Sequence, residues 1–549
     1  MNTTTGNSPT TRPATRLRWK LGLAILLLAL GGVLAGWLKF DSNRSYQVLI
    51  LWIGIPATGL LMAIWWLFLS GLRWRTRLKG AAIAIVIGVL LRLSLRIEQY
   101  SGDVIPILAF RWTPTRDERA VEYWKTKPPW ESVGSEAIAI AAVTKPVVVT
   151  ESDWPEFRGR DRDGVVRGLT RSQLRLDWTT QPPREWWRHP VGAGWSSFAV
   201  VGHRAFTQEQ RGPNETVVCY DIYTGIELWS HTDTALFGGP GSGPFGGDGP
   251  RATPTIHDGK LFSLGATGIL NCLDAATGFP RWSVNILEDN AAKNLEWGLA
   301  ASPLVIDDKV IVNPGRKNGG SVAAYDIETG RRAWTSGSNP TSYSSPQRLD
   351  ADGRPVILMY DALAFNVLDA STGEPLCPPF GWINDAKINC TQPVVWHDGN
   401  RIKILVGTGY SKGSVLLSFD HAREGDWSLV KEWESFQLKP KFNGMIIREG
   451  HVYGLDEGLL SCLRLSDGQR RWKRGRFGFG QMLLIDDLLL IQAESGDVVL
   501  IEATPERFHE LTRFPALSSK TWNNPVVVHG KLLVRNSEEA ACFELVSGQ

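Results

Sequence analysis

Nine side chains with ligand-binding chemistry stand at comparable points along this 549-residue chain: Trp195, Arg251, Trp297, Tyr343, Asn389, Lys441, Asn443, Trp522 and Asn523. They stand at or just before short apolar runs of the type Ala252-Thr-Pro-Thr-Ile256, Ala301-Ser-Pro-Leu-Val305, Thr391-Gln-Pro-Val-Val395 and Asn524-Pro-Val-Val-Val528. Indole and phenol faces accept planar ligands, the guanidinium and ammonium groups pair with anions, and amides offer hydrogen bonds or hard oxygen donors to a cation. Together they suit a small, planar, anionic ligand. The nine histidines are scattered without metal-ligand spacing, and no Gly-x-Ser-x-Gly elbow is present. The glycine run from Phe237 to Asp248 lacks the Gly-Lys-Ser/Thr ending of a phosphate loop and reads instead as a cap.

A repeat positions these residues. Cys219-Tyr-Asp-Ile-Tyr-Thr-Gly-Ile-Glu-Leu-Trp229 alternates apolar residues up to an aspartate, turns at Thr-Gly, and alternates again to Trp, the pattern of two antiparallel strands in a hairpin. It returns as Cys272-Leu-Asp-Ala-Ala-Thr-Gly-Phe-Pro-Arg-Trp282 and Ala324-Tyr-Asp-Ile-Glu-Thr-Gly-Arg-Arg-Ala-Trp334. Weaker copies follow: Asp369 to Gly373 with Cys377 in place of Trp, Asp420 with an insertion before Trp433, Arg464 to Trp472, Glu502 and Glu544. Eight copies, at intervals of 38 to 53 residues, have the period of propeller blades. The eighth stops at Gln549 before its Trp strand, while an unattached strand, Glu185 to Val191 with Trp187, precedes the first complete copy. A ring with open edges is exposed to mispairing, so the Trp187 strand is expected to complete the blade begun at the C-terminus.

The motif Ala/Cys-x-Asp-x-x-Thr-Gly-x-x-x-Trp resembles the pyrroloquinoline quinone (PQQ) repeat of the quinoprotein alcohol dehydrogenase-like superfamily. Asp153-Trp-Pro-Glu-Phe-Arg-Gly159 with Asp163-Gly164, and Asn294-Leu-Glu-Trp-Gly298, resemble a bacterial subfamily of membrane-anchored PQQ-like propellers. The resemblance implies an all-β, eight-bladed β-propeller with tryptophan-docking repeats, spanning 153–549. Its loops between blades would gather the nine residues at one mouth. It implies two functions: a binding or scaffolding module outside the cytoplasm, or a PQQ- and calcium-dependent dehydrogenase of alcohols or sugars. Arg or Lys, an aromatic platform and hard oxygen donors would serve the latter.

A net charge of +3 and the absence of any tract of five basic residues argue against a nucleic-acid partner. Cys219, Cys272, Cys462 and Cys542 hold the same repeat position, which places them in separate blades as small core residues. Cys377 and Cys390 flank one loop and have the option of pairing.

Ahead of the propeller the sequence divides into a polar, disordered stretch at 1–16, a membrane region at 17–98 and a Pro-bearing linker at 99–152, after which Trp154 to Gly168 is expected to be ordered as a clamp on the propeller. Helices are expected at 21–38, 48–69 and 79–97, the last needing residues beyond its 81–91 apolar stretch to reach across hydrocarbon. Basic residues cluster before the first helix (Arg12, Arg16, Arg18, Lys20) and between the second and third (Arg73, Arg75, Arg77, Lys79). With three spans, the positive-inside rule places the propeller on the periplasmic side of a bacterial inner membrane; if the third lies on the surface, the propeller stays cytoplasmic.

Overall fold

The structure, a computed structural model, describes residues 17–40, 44–126, 146–238, 246–316, 319–399, 401–421 and 427–546. The expected disordered stretch at 1–16 lies outside them. Two compact units divide at Thr113 and Pro114.

The first unit holds α1 (Trp19–Lys39), α2 (Arg44–Ile64, extended by a wider turn at Trp65–Leu69) and α3 (Trp74–Ser94). Two helices, Trp19–Lys39 and Tyr46–Leu69, are long and apolar enough to cross a membrane. Small residues let the helices approach: a Cβ at Gly80 would stand 2.5 Å from the Trp66 ring, and Gly22 lies under Trp65. The Arg18 N–H donates to the Ser70 carbonyl at 2.8 Å, and Arg77 donates to the Leu67 and Leu72 carbonyls. Arg18 and Arg77 therefore share one end of the unit. The third helix ends at Ser94 rather than 97, because Leu95–Tyr100 turns into a strand paired antiparallel with Pro106–Phe110. The stretch read as linker is thus structured up to residue 126, with this hairpin and, in the second unit, α4 (Arg116–Thr126).

The second unit is a ring of eight sheets, each built on four antiparallel strands; the seventh gains a fifth, Val165–Val166, paired parallel to Gln481–Ile485. The first blade runs Ala199–Val201, Arg204–Arg211, Asn214–Asp221 and Glu227–Asp233. Blades stack face to face, so inner strands such as Lys260–Leu264 are buried along their whole length and read as continuous runs rather than alternations. The last blade joins Val526–Val528, Lys531–Arg535 and Glu539–Glu544 to the N-terminal strand Arg184–Pro190, with Cys542 opposite Trp187. This is the closure the truncated repeat implied.

The repeat motif has a physical reading. The Asp221 carboxylate accepts from the backbone N–H groups of Tyr223 and Thr224 and from the Thr224 hydroxyl, which fixes the turn, and Gly225 takes φ +71°. The missing Cβ makes room for the preceding blade's indole: at Gly225, Gly330 and Gly468 it would stand 2.7 Å from Trp187, Trp282 and Trp433 respectively. Trp187 Nε1 then donates to Ile222 O at 2.8 Å, Trp282 to Ile327 O at 2.9 Å, and Trp433 to Leu465 O at 2.7 Å. In the first and second blades the Trp faces the residue two before the Asp, Cys219 opposite Trp229 and Cys272 opposite Trp282, whereas in the fifth the insertion shifts the register and Trp433 faces Leu416, four before Asp420. All six cysteines are free thiols, five of them buried, so Cys377 and Cys390 are unpaired.

Two further blades depart from the motif. In the fourth, the outer strand is Phe380–Gly381, beyond Cys377, and Trp382 is buried instead. In the seventh, Thr512 stands opposite Leu500 where Trp is expected. Trp178, from the segment before the closing strand, packs on that outer strand: it is fully buried, meets Phe514 edge-on at 5.2 Å, and its backbone N–H donates to Thr512 Oγ1 at 2.9 Å, though its indole N–H finds no acceptor among the described residues.

Candidate functional site

Blade junctions define the channel wall. The Ser197 N–H donates to Thr253 Oγ1 at 3.1 Å, Thr253 N–H to Ser302 Oγ at 2.9 Å, and Ser302 N–H to Ser345 Oγ at 2.9 Å, a relay that stitches four consecutive blades at the start of their inner strands. The Ser/Thr-Pro signatures are therefore structural.

The three asparagines of the expected site belong to this stitching. Asn389 is fully buried, its Nδ2 donating to Asp361 O at 2.7 Å and its Oδ1 accepting from Asn384 and Thr408. Asn443 Nδ2 donates to Gly480 O at 2.5 Å, and Asn523 Nδ2 to Ser196 O at 2.8 Å. Each joins its loop to a neighbouring loop. Arg251 is likewise engaged, donating to the carbonyls of Gly246, Gly247 and Gly249 and lying 4.7 Å from the Phe237 ring, so it pins the glycine-rich loop. Burial holds its pKa down at about 10.

The remaining residues form two groups. Trp195 and Trp522 meet at 4.9 Å, Phe442 lies 5.0 Å from Trp522 and 5.4 Å from Phe479, and Lys441 sits 4.4 Å over Phe479 and 5.6 Å from Tyr410. Trp297 and Tyr343 form a second pair at 5.5 Å, with Trp297 against Gly246 of the pinned loop. Burial raises the Tyr343 phenol to about 12. Lys520 was not foreseen. Its ammonium lies 3.9 Å from the Trp522 centroid and 4.8 Å from Trp195, and burial pushes its pKa down to about 7. Its sequence position, two before Trp522, carries no pattern, because its second aromatic neighbour comes from across the ring closure.

From the opposite side, the segment beginning at Asp153 enters the channel. Trp154 exchanges backbone hydrogen bonds with Val200, at 2.9 and 2.7 Å. Arg162, almost wholly buried, donates to the carbonyls of Ser302, Pro303 and Pro346 and pairs with Glu156 at 2.5 Å. Arg158 donates to Met445 O at 3.0 Å, and a Cβ at Gly444 would overlap its guanidinium. The clamp expected from the sequence is thus an arginine plug: Arg162 bonds the Ser302, Pro303 and Pro346 carbonyls and Arg158 the Met445 carbonyl, tying three blades together at their inner strands. Burial lowers the Arg158 pKa to about 10 and raises that of Glu156.

No carboxylate cluster suited to calcium gathers among the described residues. Glu494 accepts from Trp522 Nε1 and the Phe479 N–H, and Glu215 accepts from the Ala266 N–H with its second oxygen against Gly265. Asn389 Oδ1 is satisfied, whereas the Oδ1 atoms of Asn443 and Asn523 are buried without a hydrogen-bond partner, and no group of three or more His, Cys, Asp or Glu gathers among the described residues. Cations and aromatic faces dominate instead.

Comparison with known proteins accords with this fold. The family described as outer membrane protein assembly factor BamB matches residues 213–474. The quinohemoprotein alcohol dehydrogenase ADH-IIG of Pseudomonas putida is 29% identical over 126 residues, a match spanning 22% of this chain and only 17% of that relative's length. Among solved structures, BamB from Moraxella catarrhalis aligns at 17% identity and a TM-score of 0.48 over 67% of this chain and 98% of its own. A second, the quinohemoprotein alcohol dehydrogenase ADHIIG from Pseudomonas putida HK5, aligns at 14% identity and a TM-score of 0.42 over 75% and 82%.

Proposed function

We propose, from the premise that this chain is a β-propeller of the PQQ-repeat superfamily, that it is a binding and scaffolding module tethered in the bacterial inner membrane. Its propeller faces the periplasm, and its mouth docks an anionic group of a small ligand or partner protein. The observation that carries this reading is the mouth's composition: Lys441 and Lys520 against the Trp195, Trp522, Phe442 and Phe479 rings, above the plug formed by Arg158 and Arg162. A cup closed from behind receives a ligand from one face, and cations on aromatic walls favour an anion with a planar body. The match to a family described as an assembly factor supports protein interaction. Arg18 and Arg77 at one end of the helical unit support a cytoplasmic N-terminus and second loop, and the periplasmic side follows with α3 taken as a third span beside the two helices that meet the length and apolarity of one.

The alternative, a PQQ- and calcium-dependent dehydrogenase, is favoured by the 126-residue likeness to a quinohemoprotein. Its quinone suits the cations and rings, but no group of three or more His, Cys, Asp or Glu for its calcium gathers among the described residues, and no catalytic step is derived from it.

PQQ itself, as a planar tricarboxylate probe, separates the two. The full-length protein is expected to melt at a higher temperature with PQQ, equally with or without calcium, because a ligand that binds only the native state stabilises it. Lys441→Ala should abolish the shift while leaving the unliganded melting temperature nearly unchanged. No shift in the unsubstituted protein would overturn the anion-binding mouth, and calcium-dependent dye reduction with an alcohol would establish the dehydrogenase.

A further inference from the structure

The hairpin that follows α3 is built inside out. Cross-strand neighbours Ile97 and Leu108 share a face with Phe110, and they are 47%, 56% and 49% exposed, while Trp112 just beyond is 67% exposed. The opposite face carries Gln99, which is 7% exposed, and Arg96, whose guanidinium pairs with Glu98 at 2.6 Å and donates to Thr113 O at 3.0 Å. Asp103 in the turn is 8% exposed. A two-stranded hairpin is at best marginal in water, and one that turns its apolar face outward is worse.

Its tether states the depth at which it sits. Asp103 pairs with Arg44 at the start of α2 at 3.4 Å, Trp52 Nε1 donates to Val104 O at 3.1 Å, and Tyr100 lies 6.0 Å from the Trp52 ring. Trp52 stands about 12 Å along the helix from Arg44 at ~1.5 Å per residue. The tip is therefore held against the terminal turns of a membrane-competent helix, at the end opposite Arg18 and Arg77. Aromatic residues collect at that end, with Phe40 and Tyr46 stacked at 5.4 Å and Phe110 and Trp112 at 4.6 Å, the composition of a membrane–water interface.

We infer that the hairpin Leu95–Phe110 is a further membrane element, lying in the interfacial layer of the outer leaflet with Ile97, Leu108, Phe110 and Trp112 in lipid. The occupant is the bilayer because the strand begins directly after Ser94, leaving no spacer to lift the apolar face from the surface into which α3 delivers it. This inference rests on the membrane reading of the three helices.

Nitroxide accessibility in the full-length protein tests it, in nanodiscs of phosphatidylethanolamine and phosphatidylglycerol, with labels at Leu108→Cys, at Leu28→Cys in α1 and at Phe279→Cys on the propeller; label on the native cysteines is subtracted using the unsubstituted protein. Leu28 and Phe279 are 77% and 73% exposed, so each label stands clear of packing. The label at 108 is expected to be several-fold more accessible to oxygen than to a nickel chelate, as at 28, with the reverse at 279. A label at 108 that follows 279, or is shielded from both reagents by protein, overturns the inference while the spans stand. If the label at 28 itself reads as water-exposed, the membrane reading falls and the inference with it.

Discussion

Lys520 shows how burial alone tunes a mouth residue. Desolvation is the leading cause of its depressed pKa, with Arg116 and Arg251 pushing the same way and Glu494 and Asp248 opposing, and the result is about 7 against an ordinary 10.5. The unfolded chain therefore binds more protons than the folded one between those two values, so stability should rise with pH across that window. The steepest slope is that of a single proton, ~1.4 kcal/mol per pH unit. Denaturant titrations at pH 7, 8 and 9 are expected to show this rise in the unsubstituted protein and a flatter dependence in Lys520→Met. Parallel curves for the two would mean the ammonium is solvated after all.

The docking hairpin is the unit in which the repeat makes energetic sense, because one turn serves two blades. Its Asp closes its own turn, its Gly admits the previous blade's indole, and its carbonyl accepts the indole N–H. Trp187→Ala should cost about 3–5 kcal/mol, the usual loss for a buried aromatic. The sharper expectation concerns Trp178, which belongs to no repeat: Trp178→Ala should cost a comparable amount in the same denaturation experiment, because it is fully buried on the outer strand of the seventh blade, which lacks its own Trp. A cost below about 1 kcal/mol would show that blade to be held without a docked indole.

At the level of the ring, closure and plugging act together. The strand Arg184–Pro190 completes the eighth blade, and Arg158 and Arg162, from the segment just ahead of it, bond inner strands on several blades. Removing residues 540–549 deletes the partner strand, exposing two unpaired edges in a structure whose stability depends on having none. The truncated protein is expected to lose its cooperative melting transition or melt far below the full chain, whereas trimming 547–549 alone should change little. Equal melting temperatures for all three would mean that the ring holds together without that strand pair.

Much of this was legible in the residues alone: the propeller, its eight blades, the Trp187 closure and the buried cysteines. Each follows from a periodic pattern, in which position within the repeat dictates register and register dictates burial. The mouth was legible only as a neighbourhood. Trp195, Trp522 and Lys441 gather around Phe442 and Phe479 while Trp297 and Tyr343 form a separate pair, Arg251 pins a loop, and Asn389, Asn443 and Asn523 donate their amide N–H groups to neighbouring loops. Lys520, the packing of Trp178, the arginine plug and the outward-facing hairpin were decided by tertiary structure. Each depends on which distant segment meets which, and a donor's role is set by the acceptor that happens to be within reach, a quantity no local spacing encodes.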